Sequence, residues 1–163
     1  MILLSFLSAV LLHECGHLFA LTLFHARLLK TKLSPFGITL THTPLSSPFA
    51  SLTVASFGPL FGIIGFVATQ NSLSVPIFQA VTLSLSLFNL IPITGLDGGR
   101  ILNAALSFFL PPAAAEAIAR ITSHLCLVLL WIVGAYLFLF HNASPSLFLM
   151  SLALFFENAK NEE

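Results

Sequence analysis

The chain is written in long apolar runs separated by short polar clusters. Five segments are almost continuously apolar: 2–25, 49–70, 75–94, 113–140 and 145–157. The first four reach or approach the roughly 20 residues that a helix needs to cross a bilayer. The last is shorter, and a short span is accommodated by little tilt or by local thinning of the bilayer. Asn71, Ser72 and Pro76 mark the turn between the second and third runs, and His141, Asn142 and Pro145 mark the last turn. Two stretches do not fit the pattern. Residues 33–43, LSPFGITLTHT, alternate Ile38 and Leu40 with Thr39 and Thr41, a period of two that predicts a short β-hairpin or strand. Residues 98–110, GGRILNAALSFFL, read as a short helix after a glycine-rich turn, ended by Pro111 and Pro112.

Composition turns these runs into membrane spans. The chain has 163 residues, of which 57% are hydrophobic and 7% charged, and its mean hydropathy is +1.00. A soluble domain carries roughly 25% charged residues, so this chain has too little polar surface to face water all round. Cleavage of the first run as a signal peptide is disfavoured: it lacks a basic leading region and a small-residue cleavage pattern. The formal net charge is zero, which gives nucleic acid no electrostatic footing. Cys15 and Cys126 each lie in an apolar run, and no disulfide is expected.

The basic residues set an orientation. They are Arg27, Lys30, Lys32, Arg100, Arg120 and Lys160. With five spans they all fall on or near one side, which the positive-inside rule makes cytoplasmic, with the N-terminus outside. The expected fold class is thus an all-α polytopic membrane protein, multi-pass in the cell membrane. It has about five transmembrane helices, a short β-hairpin at the cytoplasmic interface, and a broken helix near Asp97. One membrane-embedded domain is expected over 1–163, with a core at 1–110 and C-terminal helices at 113–158.

The first run contains HECGH, residues 13–17. On a helix His13 and His17 are i and i+4, so both imidazoles reach one ion. Glu14 then stands beside the metal's water rather than on the metal, the HExxH arrangement. Zn²⁺ lowers the pKa of its water to about 7, and a neighbouring carboxylate takes and returns the proton. The competing reading is a polar helix–helix contact. Ionisable groups at membrane depth cost on the order of 2.5–3.5 kcal/mol each, which favours function.

A catalytic zinc commonly takes three protein ligands. Apart from Glu14, and from Glu116 and Glu157 at helix ends, the acidic residue in or beside a span is Asp97, in L96-D97-G98-G99. Pro92 and Gly95 break the third run just before it. Taken alone, LDGG is an ordinary turn after a helix. Taken with HECGH, it supplies the missing carboxylate. From His17 to Arg27 is ten residues, roughly 15 Å of helix, which sets the site below the cytoplasmic surface.

HECGH together with N89-x-x-P92-x-x-x-L96-D97-G98-G99 resembles the site-2 protease family of M50-type intramembrane zinc metalloproteases. Gly58-Pro59 and the PFG of Pro35 to Gly37 also match, and the likeness covers residues 1–110. It is nearest to the compact bacterial branch that includes the sporulation protease processing a pro-sigma factor. The resemblance implies one zinc on His13, His17 and Asp97, Glu14 as general base, and Asn89 supporting the substrate carbonyl or oxyanion. It implies regulated intramembrane proteolysis of a membrane-embedded protein, for which a membrane-tethered transcription-factor precursor is a candidate, with a membrane regulator as a further partner. The chain departs from the family in three ways. It starts almost on the HExxH helix, where relatives carry an earlier span. It shows no PDZ or CBS domain. It has Gly62 where many relatives have a polar residue, often Asn.

Other polar residues have plainer readings. Glu116, Arg120 and His124 are spaced by four on the fourth span, as an ion pair with a snorkelling arginine at the cytoplasmic edge; a gate or water path is the alternative. His25, His42 and His141 read as solvated. Cys15 points about 200° round from His13 and reads as a small packing residue. The strand at Ile38 to Thr41 could pair with an extended substrate. Two other functions compete with a protease. A metal transporter or sensor would distribute ligands along a pathway and repeat its architecture. A non-catalytic relative that binds transmembrane segments would not need Glu14.

Overall fold

The computed structural model describes residues 2–26, 28–34, 37–43, 45, 47–72, 74–141 and 145–161. Arg27, Pro35, Phe36 and Asn142, which the sequence reading used, lie outside the described residues. Among those described, the order is α1 (Ile2–Leu23), β1 (Leu28–Ser34), β2 (Gly37–His42), α2 (Pro48–Thr69), α3 (Pro76–Asn89), α4 (Asp97–Leu106), α5 (Pro112–His141) and α6 (Ser146–Asn161). The chain divides into two compact units, Met1–Leu90 and Ile91–Glu163.

Proline sets the helix boundaries. Pro48, Pro76 and Pro112 each open a helix, where the missing N–H costs nothing and the fixed φ suits the first turn. Ser47 caps α2 by accepting the Ala50 N–H at 3.2 Å. α3 stops at Asn89, three residues before Pro92, although the apolar run continues to residue 94. Proline clashes with the preceding turn and biases the residue before it away from the helical region. The expected third span is therefore a 14-residue helix, about 21 Å long, short of the roughly 30 Å hydrocarbon core. α1, α2 and α5 are long and apolar enough to cross a membrane, and α6 holds a shorter apolar helix over Ser146–Phe156.

In the first unit, α1, α2 and α3 approach closely through glycines. A Cβ on Gly16 of α1 would overlap the Phe57 carbonyl of α2, and one on Gly62 of α2 would overlap the Ser86 hydroxyl of α3. Small residues at helix contacts are how helices associate where lipid removes the hydrophobic drive. The outer face of α1 carries exposed Leu3, Leu4, Phe6, Leu7, Leu11 and Leu18, as a lipid-facing helix does. Cys15 is on that outward face and exposed. This corrects its reading as a packing residue: 200° from His13 on α1 points out of the bundle rather than into it.

The two strands form an antiparallel sheet, with Thr31 opposite Leu40 and Lys32 opposite Thr39, and an irregularity between Leu28 and Lys30. The alternation at 33–43 marks only the second strand. The first runs back through the basic segment to Leu28, where no alternation of apolar residues announces it.

In the second unit, α5 buries the row Ala115, Ala119, Ser123 and Leu127. Gly134 lets α5 and α6 meet, with a Cβ there falling 3.0 Å from the Phe148 nitrogen. One row round, Arg120 donates to Glu116 at 3.2 Å, both side chains mostly exposed. His124 Nδ1 donates to the Arg120 carbonyl at 2.8 Å.

Candidate metal centre

His13 and His17 share one face of α1, and both are buried, at 4% and 6% exposed. Their rings meet edge to face, with centroids 5.0 Å apart, and their Nε2 atoms lie 3.2 Å apart. The second helix fixes one of them. His17 Nδ1 donates to the Val54 carbonyl of α2 at 2.8 Å, because a carbonyl can only accept. In the neutral ring this puts the proton on Nδ1 and leaves a lone pair on Nε2. A backbone carbonyl holding the outer nitrogen is the usual support of a metal-binding imidazole.

Pro59, inside α2, has no N–H to give the Ala55 carbonyl, and the Val54 carbonyl that His17 meets is its neighbour on the same helix. Gly58 acts on the other side. A Cβ there would overlap His17 Nε2 and stand 2.8 Å from His13 Nε2. Gly58 thus makes room for both nitrogens.

The donors present fit a zinc ion. Two nitrogens on one tetrahedral Zn²⁺, each about 2.0–2.1 Å from it, stand about 3.3 Å apart; the observed separation is 3.2 Å. Gly58 leaves space against both Nε2 atoms. Glu14, next along α1, is half-buried. Asn89, the last residue of α3, is half-buried too, and its Nδ2 donates to the Leu85 carbonyl at 3.0 Å. These four residues belong to the first unit, which brings the two histidines together.

Asp97 belongs to the second unit. It opens α4 and is 6% exposed. Acidic residues are favoured in a first helical turn by the helix dipole. The segment before it is non-helical, as Pro92 and Gly95 predicted, and Gly95 adopts φ +102°, a conformation that favours glycine. Sequence reading missed two participants. Val54 acts through its backbone, so its residue type carries no signal. Gly58 shows in the sequence only as part of a motif match, and HECGH followed by a glycine on the next span is the available clue.

Comparison with known proteins shows the family. The model of peptidase family M50 matches residues 38–132. Stage IV sporulation protein FB of Bacillus subtilis (strain 168) is 33% identical over an alignment covering 78% of this chain and 48% of that protein. The chain thus spans about half the length of this curated relative. The structure is similar to that of a site-2 protease from Methanocaldococcus jannaschii, with a TM-score of 0.66 and 25% identity, covering 98% of this chain and 76% of that one.

Proposed function

The chain belongs to peptidase family M50, and on that footing we propose that it is a zinc-dependent intramembrane protease. It hydrolyses a peptide bond of a membrane-embedded protein. In this reading His13, His17 and Asp97 hold one Zn²⁺, Glu14 is the general base and Asn89 supports the substrate carbonyl. The observation that carries it is the buried histidine pair, with Nε2 atoms 3.2 Å apart and one ring oriented by Val54. The three long apolar helices support a multi-pass membrane protein. With five spans the basic residues fall on or near one side, which supports a site toward the cytoplasm and an N-terminus outside.

Zinc, when bound, supplies Lewis acidity at the reacting oxygens. The protein's residues do the rest. The Val54 carbonyl holds His17 in the Nδ1–H tautomer. Glu14, one residue from His13, takes the proton of the attacking water and hands it to the leaving amine. Asn89 uses one amide N–H on Leu85, and its second N–H donates to the developing oxyanion. Its own helix therefore holds the amide in place before substrate arrives. The likeness to a sporulation protein supports regulated intramembrane proteolysis during sporulation. The substrate class is then a membrane-tethered transcription-factor precursor, with a membrane regulator as a further partner.

The test is co-expression with single-span substrates, comparing wild type with Glu14→Gln. The variant is expected to keep one zinc per chain and to lose cleavage by at least about 100-fold. Wild-type cleavage by the variant would remove Glu14 from the mechanism. A variant that loses zinc would make Glu14 a ligand instead.

A further inference from the structure

Ser123 is the one polar residue in the buried row Ala115, Ala119, Ser123 and Leu127 of α5, and it is 1% exposed. Its hydroxyl oxygen accepts the backbone N–H of Thr94 at 2.8 Å, from 29 residues away. Thr94 lies in the non-helical segment that leads into Asp97. That segment is tightly built. The Ile93 N–H donates to the Ile91 carbonyl at 2.7 Å, and the Leu96 N–H donates to the Ile93 carbonyl at 3.0 Å. Ile93 is fully buried. Gly99, in the first turn of α4, lies against the same backbone: a Cβ there would stand 2.7 Å from the Ile93 carbonyl carbon and 3.0 Å from the Thr94 nitrogen. The turn is thus held on one side by α4 itself and on the other by Ser123.

The Ile93 and Leu96 N–H groups are satisfied inside the turn, whereas the Thr94 N–H is held by a side chain from another helix. Without that acceptor the Thr94 N–H loses its partner on α5, and the turn is free to shift. Asp97 is three residues further on and is the first residue of α4, with Gly95 at positive φ and the extended Leu96 between. A shift of the turn therefore moves its carboxylate.

We propose that Ser123 is a positioning residue for the metal: by holding the Thr94 N–H it fixes the turn that aims Asp97. The inference rests on the reading of Asp97 as a ligand. The test uses the full chain in detergent, with Ser123→Ala, Ser123→Thr and Asp97→Asn. Zinc affinity is measured by chelator competition and ligand geometry by the visible spectrum of the Co²⁺-loaded protein. Ser123→Ala is expected to bind zinc about 10-fold more weakly, as loss of ligand support does, and to shift the Co²⁺ bands. Its cleavage should show lower kcat at unchanged KM. Ser123→Thr, which keeps the hydroxyl, should restore all three. Wild-type zinc affinity and spectrum in Ser123→Ala, with Asp97→Asn defective, would overturn the positioning role and leave the ligand reading standing. Wild-type zinc affinity in Asp97→Asn would overturn the ligand reading, and this inference with it. Should Ser123→Ala not fold, Ser123→Cys, a weaker acceptor, must fall below wild type in affinity; equality would refute the proposal.

Discussion

The histidine pair and the Asp97 turn, both metal donors in the proposed reading, are held in opposite ways. His13 and His17 stand on an unbroken helix, so the 3.6-residue period aligns them without further design. What they need is room and one orienting bond, and α2 supplies both through Gly58 and the Val54 carbonyl. Asp97 follows a break in which the helix offers no scaffold. The segment that leads into it has Gly95 at positive φ, Gly99 packed against Ile93, and the Thr94 N–H held by Ser123 of α5. A donor on regular structure is set by its neighbours' size; a donor after a break is set by its neighbours' hydrogen bonds.

The two glycines test this contrast most directly. Gly58→Ala places a methyl group onto His17 Nε2 and close to His13 Nε2. The rings must turn, and the bond to Val54 is lost. Zinc affinity is expected to fall by at least about 100-fold, at the upper end of what disturbed ligand support costs. Overpacking should lower stability by about 1–3 kcal/mol. Equilibrium dialysis against zinc and thermal unfolding measure the two effects. Unchanged affinity would show that the room Gly58 provides is not what keeps the two nitrogens aimed.

Gly95→Ala should act differently. Nothing lies within 4 Å of a Cβ at that position, so the whole cost is backbone strain at φ +102°. That strain is worth about 1–2 kcal/mol. The expected result is a lower unfolding temperature and a smaller loss of zinc than in Gly58→Ala. A loss of zinc as large as that of Gly58→Ala, with stability unchanged, would mean that the turn is aimed by local strain rather than held by its bonds.

This contrast also explains what the sequence made legible. HECGH announces itself because helical spacing is a one-dimensional signal, and the polar letters stand out among leucines. The break before Asp97 is legible for the same reason: Pro92 and Gly95 are chemically committed to irregular backbone. The supports are not legible. Val54 contributes a carbonyl that any residue has, and Ser123 is one of many serines until the fold sets it opposite Thr94. The same limit applied to the hairpin. Its second strand alternates visibly, whereas β1 is defined by pairing with it. The third apolar run misled on length, because hydropathy continues past Asn89 while helix geometry ends there. Cys15 misled on burial, because an apolar run looks alike on its lipid and protein faces.

The smallest expected effect concerns a second row with the same spacing. Glu116, Arg120 and His124 repeat every fourth residue on α5, as His13 and His17 do on α1. His124 Nδ1 even donates to a backbone carbonyl, as His17 Nδ1 does. The difference lies in the partner. His124 bonds the carbonyl of Arg120, four residues back on its own helix, while His17 bonds a carbonyl 37 residues away on another. The first bond any exposed helix can make, whereas the second exists only once two helices pack. The Arg120–Glu116 contact likewise joins two mostly exposed side chains, and such pairs are worth at most about 0.5 kcal/mol. Glu116→Gln should therefore lower stability by no more than that, and leave zinc stoichiometry and cleavage at the wild-type level. A Glu116→Gln protein that folds normally yet loses cleavage would give this row a part in substrate or water access. Spacing by four would then mark function even without a second helix to enclose it.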